Sequence, residues 1–408
     1  MQDIKMSEIK LPKNWKIVKV GKYVISTKGK KPKKISKEKT NDCQLPYVNI
    51  KAFEKGIIDE YTDGVGCVIC EEGDFLMVWD GSRSGYVGKA IKGALGSTLV
   101  RLNFPDLENN YAYYFLQSKY IEINTRAKGV GIPHVDPNLL WNYDLLIPPL
   151  ETQQAIVSKI EELFSELDKG IEDLKTAQQQ LKTYRQSVLK WAFEGKLTNE
   201  NVKDGELPEG WEWTTFQKVC IKIGDIDHKM PKQLEIGYPY VSTKDFTNDL
   251  KISFENAKYI SEEDYLNLSR KIKPEKGDII FPRYGTIGKN ILVDFDKKFL
   301  VSYSCAVIKP NHDIVLSKYI YLFSLSPKVT DEIRKYVVET TQANIGIASI
   351  KSFVFPLPSM KEQHKVVEEL ESRLSVADKM EESIAQSLQQ AEALRQSILK
   401  KAFSGELV

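Results

Sequence analysis

Gln153-Gln154-Ala155-Ile156-Val157 through Arg185-Gln186-Ser187-Val188-Leu189-Lys190-Trp191-Ala192-Phe193-Glu194-Gly195-Lys196-Leu197 recurs, without a gap, as Gln363-His364-Lys365-Val366-Val367 through Arg395-Gln396-Ser397-Ile398-Leu399-Lys400-Lys401-Ala402-Phe403-Ser404-Gly405-Glu406-Leu407. About two in five residues are identical across a register of roughly forty-five, which marks an internal duplication. In the first copy Ile156, Ile160, Leu163, Leu167, Leu174, Ala177, Leu181, Tyr184 and Val188 fall at intervals of three and four, interrupted once at Gly170. The second copy offers Val366, Leu370, Ala377, Met380, Ile384, Ala391, Leu394 and Ile398, with Leu374 and Leu388 one position off the strict repeat. A seam held for about five heptads favours a coiled coil over a lone surface helix. Gly195 and Gly405 are the expected stops, and Ser359 with Glu362 has the spacing of a capping box.

Working outward, each helical stretch follows a short apolar run broken by prolines: Leu145-Leu146-Ile147-Pro148-Pro149-Leu150 and Phe353-Val354-Phe355-Pro356-Leu357-Pro358. The openings Leu11-Pro12-Lys13-Asn14-Trp15 and Leu207-Pro208-Glu209-Gly210-Trp211 also repeat. Between them, Leu45-Pro46-Tyr47-Val48 echoes Tyr238-Pro239-Tyr240-Val241, and Gly73-Asp74-Phe75-Leu76 echoes Gly277-Asp278-Ile279-Ile280, as strands bounded by turn residues. Tyr111 to Leu116 and Tyr319 to Phe323 read as corresponding helices. The predicted order is a first globular domain over 1–150, a central helix over 151–197, a linker and second domain over 198–358, and a C-terminal helix over 359–408. The fold class is α/β (α+β), with two similar domains joined and spaced by two long antiparallel coiled-coil helices. A pseudo-twofold pairing would bring Leu407 back towards Leu11 and close the chain circularly.

At 408 residues the chain exceeds one ordinary core. It has no apolar run of the roughly 18 to 20 residues that a membrane span needs, and Met1 to Lys10 is too polar for a signal peptide, so a cytoplasmic protein is expected. Five cysteines make a poor disulfide framework for this length. The net charge of +2 hides an uneven distribution: the first forty residues hold thirteen lysines against three acids. That is either a polyanion footprint or a solvated lysine-rich loop.

Catalytic signatures are missing. The sequence has no Gly-x-Gly-x-x-Gly after a strand, no phosphate-binding Gly-x4-Gly-Lys-Ser/Thr loop and no Asn-Pro-Pro-aromatic run. His134, His228, His312 and His364 lack metal-ligand spacing, and Cys67-Val68-Ile69-Cys70 is a lone pair that reads as buried strand cysteines, not a zinc site. No metal or cofactor is therefore expected in this chain. What remains is binding chemistry in two loops per domain. The lysine-rich turn carries Lys30, Lys31, Lys33 and Lys34, with Lys229 and Lys232 in the equivalent place. After matching strands come Ser82, Arg83, Ser84, Tyr86 and Lys89 in one domain, and Arg283, Tyr284, Thr286 and Lys289 in the other. Glycines allow close backbone approach, hydroxyls suit phosphates, and Arg83 and Arg283 could read guanine in a major groove. Two aligned loops in each of two domains point to a polymer recognised in two parts.

The proline breaks, the Arg-Gln-Ser-Val/Ile-Leu-Lys helix end, the Ala-Phe-x-Gly-x-Leu terminus and the Leu-Pro-x-x-Trp openings resemble a specificity subunit of type I restriction-modification enzymes over nearly the whole chain. The resemblance implies two target-recognition domains, each binding one half of a bipartite site in double-stranded DNA. It implies paired helices that separate the domains and dock two modification (methyltransferase) subunits. Catalysis would lie outside this chain: methyl transfer from S-adenosylmethionine in the modification subunits, and ATP- and Mg-dependent cleavage in restriction subunits. The family often has a Gly-Thr-Pro-like turn where this chain has Gly29-Lys30-Lys31-Pro32. A helix of about 38 residues spans roughly 57 Å, enough to hold two domains one 34 Å DNA turn apart. Two other readings are a stand-alone nuclease or methyltransferase, which would modify DNA without partners, and a coiled-coil adaptor, which would show no salt-dependent DNA affinity.

Overall fold

A computed structural model describes residues 14–199, 201–228, 230–337 and 343–407 of the chain. The fold comprises two compact units, one of Met1–Leu174 with Gln386–Val408 and the other of Lys175–Ala385. Each takes one globular domain and a part of both long helices, so the units cut across the four segments read from the sequence. The physical reason is that the apolar residues at the two ends of each helix belong to different cores.

In the first unit Lys16–Lys19 pairs antiparallel with Asp144–Ile147, which fastens the start of the domain to its end. A four-stranded antiparallel sheet follows the order Ile25–Lys28, Leu99–Asn103, Phe75–Val78, Val87–Lys89. The run Phe75-Leu76-Met77-Val78 is buried on both faces because successive side chains point to opposite sides of a strand: Phe75 and Met77 enter one core, Leu76 and Val78 another. A five-stranded sheet of short strands sets Leu45–Val48 parallel to Gly93–Leu95. The second unit repeats the plan. Glu212–Thr215 pairs with Val354–Leu357, Cys220–Gly224 leads a sheet with Cys305–Pro310, Ile279–Pro282 and Ile291–Leu292, and Tyr238–Val241 lies parallel to Leu300–Val301.

The duplication extends to single bonds. The Tyr111 hydroxyl, from the helix Asn109–Ser118, donates to the Leu146 carbonyl at 2.7 Å; Tyr319, from Ser317–Ser324, donates to that of Pro356 at 3.2 Å. The buried Gln153 amide accepts from the Glu108 N–H and donates to the Pro148 carbonyl, while Gln363 accepts from Leu316 and donates to Pro358. Phe403 stands edge-on to Tyr111 and Phe115 at 5.2 and 5.4 Å, as Phe193 does to Tyr319 and Phe323 at 5.2 and 5.1 Å.

The central helix is Leu150–Phe193 and the C-terminal helix Met360–Ser404; the former runs straight through an exposed Gly170. Their pairing is antiparallel in each unit. Arg395 bonds Asp168 in the first, and in the second Arg185 bonds Asp378 at 2.7 Å, at duplicated positions and in the same register. Ile156, Ile160, Leu181, Val188, Val366, Leu370 and Ile398 are buried, and Leu163, Leu167, Leu174 and Ile384 half-buried. Leu394 departs from the expected seam. It is 51% exposed, as its counterpart Tyr184 is also exposed, because burial moves to Leu399, Ala402, Leu189 and Ala192 where the helices meet the domains. The capping box is only half formed: the Glu362 N–H donates to Ser359 Oγ at 3.4 Å, but the carboxylate turns to the Thr198 hydroxyl at 2.6 Å and fastens the linker. Gly195 and Gly405 end the helices with φ of 77° and 79°, and Lys196 and Glu406 donate back five residues to Trp191 and Lys401. Leu407 packs on the first core; Leu11 lies outside the described residues.

Cys70 is buried in the strand Ile69–Cys70, whereas Cys67 sits in the turn before it. Among the described residues no cluster of His, Cys, Asp or Glu could hold a metal, and no helix is long and apolar enough to cross a membrane.

Candidate nucleic-acid interface

In each four-stranded sheet, the first strand and the buried third strand flank the same neighbour and release their loops at one edge. An ion pair joins those loops in both domains. Lys28, which ends the strand Ile25–Lys28, places Nζ 2.9 Å from Asp80, just beyond Phe75–Val78. In the second domain Asp225, just beyond Cys220–Gly224, pairs with Arg283, just beyond Ile279–Pro282. The bridge joins the same two loops in both domains with its polarity reversed, and its partner on the second loop stands one residue later in the first domain. The first is exposed; the second is buried, with Arg283 8% and Asp225 7% exposed. Arg283 Nε also donates to the Ile345 carbonyl at 3.0 Å. Asp225 further accepts from Lys271 at 3.2 Å, and His228, 3.4 Å away, stacks on Tyr303 with ring centroids 4.6 Å apart.

Backbone bonds set the register of the two loops. Val135 donates to the Trp79 carbonyl at 2.9 Å as Ile345 does to that of Arg283 at 3.0 Å, and Gly81 donates to Pro133 as Gly285 does to Ala343. Trp79, not Arg83, therefore occupies the place of Arg283. Arg83 is exposed, bonds Glu54 at 3.0 Å and lies 4.1 Å over the ring of Tyr86, which is itself half-buried edge-on to Phe53 and Tyr120.

The remaining expected residues divide by exposure. Lys30, Lys31, Lys33, Lys34, Ser82, Lys232, Thr286 and Lys289 are exposed, with Lys34 held to Asp42 at 2.8 Å, and Tyr284 is half-buried. Lys229 lies outside the described residues. Ser84 is fully buried and its hydroxyl has no hydrogen-bond partner among the described residues, so it faces the core and not the surface. Lys89 pairs with Phe75 at the far end of the sheet, away from the Asp80 to Tyr86 loop. There it donates to Asn110 at 2.8 Å above the Tyr113 ring, and burial lowers its ammonium pKa below the usual value. The sequence reading missed Asp225, whose acid at the end of an apolar strand carries no signal of its buried partner. It also missed the segment Lys128 to His134, which folds back onto Asp80 and Gly81 and whose Gly129-Val130-Gly131-Ile132-Pro133 alternation is visible in the sequence.

A family model described as the type I restriction modification DNA specificity domain matches residues 12–176 and 208–390. The type I restriction enzyme MjaVIII specificity subunit of Methanocaldococcus jannaschii is 26% identical over 413 residues, covering 98% of this chain and 95% of that protein. The EcoBI specificity subunit of Escherichia coli is 26% identical over 382 residues, covering 89% and 80%. Among solved structures, one described as the structural basis of complex assembly and conformational transition of the type I R-M system aligns with a TM-score of 0.70 at 20% identity, over 98% of this chain and 100% of that one. The HsdS subunit from Thermoanaerobacter tengcongensis aligns with a TM-score of 0.54 at 19% identity, over 98% and 99%.

Proposed function

The chain belongs to the type I restriction modification DNA specificity family, and from that premise we propose that it is the non-catalytic subunit that selects the DNA sequence, each domain reading one half of a bipartite site. The observation that carries this reading is the repeated edge geometry: the same two loops are held together by an ion pair in both domains. In the first domain, 1–150, the contact surface is Lys30, Lys31, Lys33, Lys34, Ser82 and Arg83. In the second, 198–358, it is Lys229, Lys232, Tyr284, Thr286 and Lys289. Lysines and hydroxyls suit the phosphate backbone, and Arg83, stacked on Tyr86, presents a flat donor face to base edges. Tyr86 and Arg283 act behind that surface, holding its loops, while the buried Ser84 and the distant Lys89 lie outside it.

The helices over 151–197 and 359–408 set the unread gap and dock two modification subunits, supported by their shared register in both units. Methyl transfer from S-adenosylmethionine then belongs to those subunits, and ATP- and Mg-dependent cleavage to restriction subunits. The test is to express the chain with its modification subunits in a host without DNA methylation and to map modified bases. A two-part motif with a fixed gap is expected, and pure chain with labelled S-adenosylmethionine should transfer nothing. Label transfer by the chain alone would establish a stand-alone enzyme instead, and a lack of salt-dependent DNA affinity would establish an adaptor.

A further inference from the structure

The segment Lys128 to His134 is a short loop with a closed base and an apolar tip. Lys128 and His134 exchange backbone bonds of 2.9 and 2.7 Å, which leaves five residues outside the ladder. Gly129 turns the chain with φ of +113°, and a Cβ there would come within 2.4 Å of the Ile132 carbonyl. The tip carries Val130 at 111% and Ile132 at 69% exposure, so neither side chain serves the core. A polar residue would satisfy the same turn, and two β-branched side chains, separated by Gly131 and held in water on a pinned loop, suit an apolar partner.

The base of the loop identifies that partner. Gly81 donates to Pro133 at 2.8 Å, and His134 bridges Asp80, the residue whose carboxylate holds Lys28 at the start of the lysine-rich turn. The apolar tip therefore rises from the same edge as Lys30 and Lys31, with exposed Arg126 and Lys128 at its foot, each paired with an acid, Glu122 at 3.3 Å and Asp136 at 2.8 Å. A narrow apolar tip on the edge that carries exposed Lys30 and Lys31 matches a groove of DNA, whose rim is phosphate and whose floor offers the apolar surface of bases.

We propose that Val130 and Ile132 are specificity-determining residues that make apolar contact with the bases of the half-site read by the first domain. This rests on the proposed DNA-specificity function. The contact has two sources with one chemistry: thymine methyl groups in the major groove, or the faces of bases at a step opened by the tip.

The experiment uses the chain assembled with its modification subunits and a duplex carrying the two-part site found by methylation mapping. V130A/I132A should weaken binding to that duplex about tenfold or more, from loss of two buried aliphatic groups. The loss should leave the salt slope unchanged, whereas a K30A/K31A variant should lower it by about one per lysine. It should fall on the first half-site only, with discrimination at the second intact. I221A, an exposed aliphatic change in the second domain, should do neither. Uracil in place of thymine in the first half-site reproduces the loss if methyl groups are the contact; a duplex bend that V130A/I132A abolishes assigns it to an opened step. Unchanged affinity and discrimination in a variant that melts as the parent does would overturn the proposal. So would weakened assembly with the modification subunits but normal DNA binding by the assembled fraction, because the tip would then be a protein contact. If the parent complex methylates no two-part site, the DNA-specificity reading itself fails and this one falls with it.

Discussion

Arg283 offers the sharpest separation between a residue that touches DNA and one that builds the surface that does. Its guanidinium bonds Asp225 and the Ile345 carbonyl inside the second unit. In R283A the Asp225 carboxylate stays buried with Lys271, whose own side chain is half in water, as its main remaining cation. Breaking a buried pair from one side costs about 3 to 5 kcal/mol, and the surviving Lys271 contact puts this case near the lower figure, at about 3 kcal/mol. For a unit of this size that corresponds to a melting shift of roughly 6 to 12 °C. R283M/D225N removes both charges at similar volume and should recover about half of the loss, since no charge is left buried alone. Hydrogen exchange of the second domain should quicken at Ile345 and Gly285, whose N–H groups close the same loops onto Arg283 and Ala343. Binding should weaken across all positions of the second half-site, because several loops loosen together. A normal melt and unchanged exchange, with a loss confined to one guanine-bearing base pair, would refute the reasoning and make Arg283 a direct reader.

Three further outcomes follow from the duplicated scaffold. F193A should cost about 3 to 5 kcal/mol in urea unfolding and F403A about 2 to 3, because Phe193 is buried and Phe403 only half-buried; the opposite order would contradict the packing described for the two helix ends. G405A should cost about 1 to 2 kcal/mol, the penalty of a left-handed residue bearing Cβ, whereas G195A should cost clearly more in the same assay, because its Cβ would meet Pro208 at 2.1 Å. Four residues inserted after both Ala177 and Ser387 add about one turn, or 6 Å, to each helix, and methylation mapping should show the gap longer by about one base pair with both half-sites unchanged; an unchanged gap in an active variant would place spacing control in the modification subunits.

The sequence carried the scaffold because the scaffold is periodic. Val366, Leu370 and Ile398 repeat Ile156, Ile160 and Val188 at the same burial, and helical spacing reports which face is covered. Periodicity failed where a helix leaves its partner helix for a domain. Leu394 satisfies the heptad but sits on the outer face, and Leu399, five residues on, takes the core. Glu362 had the spacing for a reciprocal cap, yet its carboxylate had a stronger offer from the Thr198 hydroxyl, which local spacing does not reveal. At the loops the sequence placed both edges on matching strands, each with an arginine, without matching the loops residue by residue. Counting on from the matching Gly73-Asp74 and Gly277-Asp278 sets Trp79 opposite Arg283, as the backbone bonds do, and beyond that point the loops have no hydrophobic period to carry the match further.

The two domains differ where burial stops constraining them. Tyr111 and Tyr319, Gln153 and Gln363, Phe403 and Phe193, and the Arg395–Asp168 and Arg185–Asp378 bridges are pairwise copies, because each fills or satisfies a site that tolerates little change. At the loop edge the bridge has reversed sign, Trp79 stands where Arg283 stands, and the loop residues are lysine-rich in one domain and a mixture of half-buried Tyr284 with exposed Thr286 and Lys289 in the other. Base readout depends on the donor, acceptor and apolar groups that reach the groove. Identical scaffolds presenting different groups should therefore select different bases, and the site should not be a palindrome. Methylation mapping decides this: two unlike half-sites are expected, while a symmetric site would mean that the loops described here are not the parts that read it.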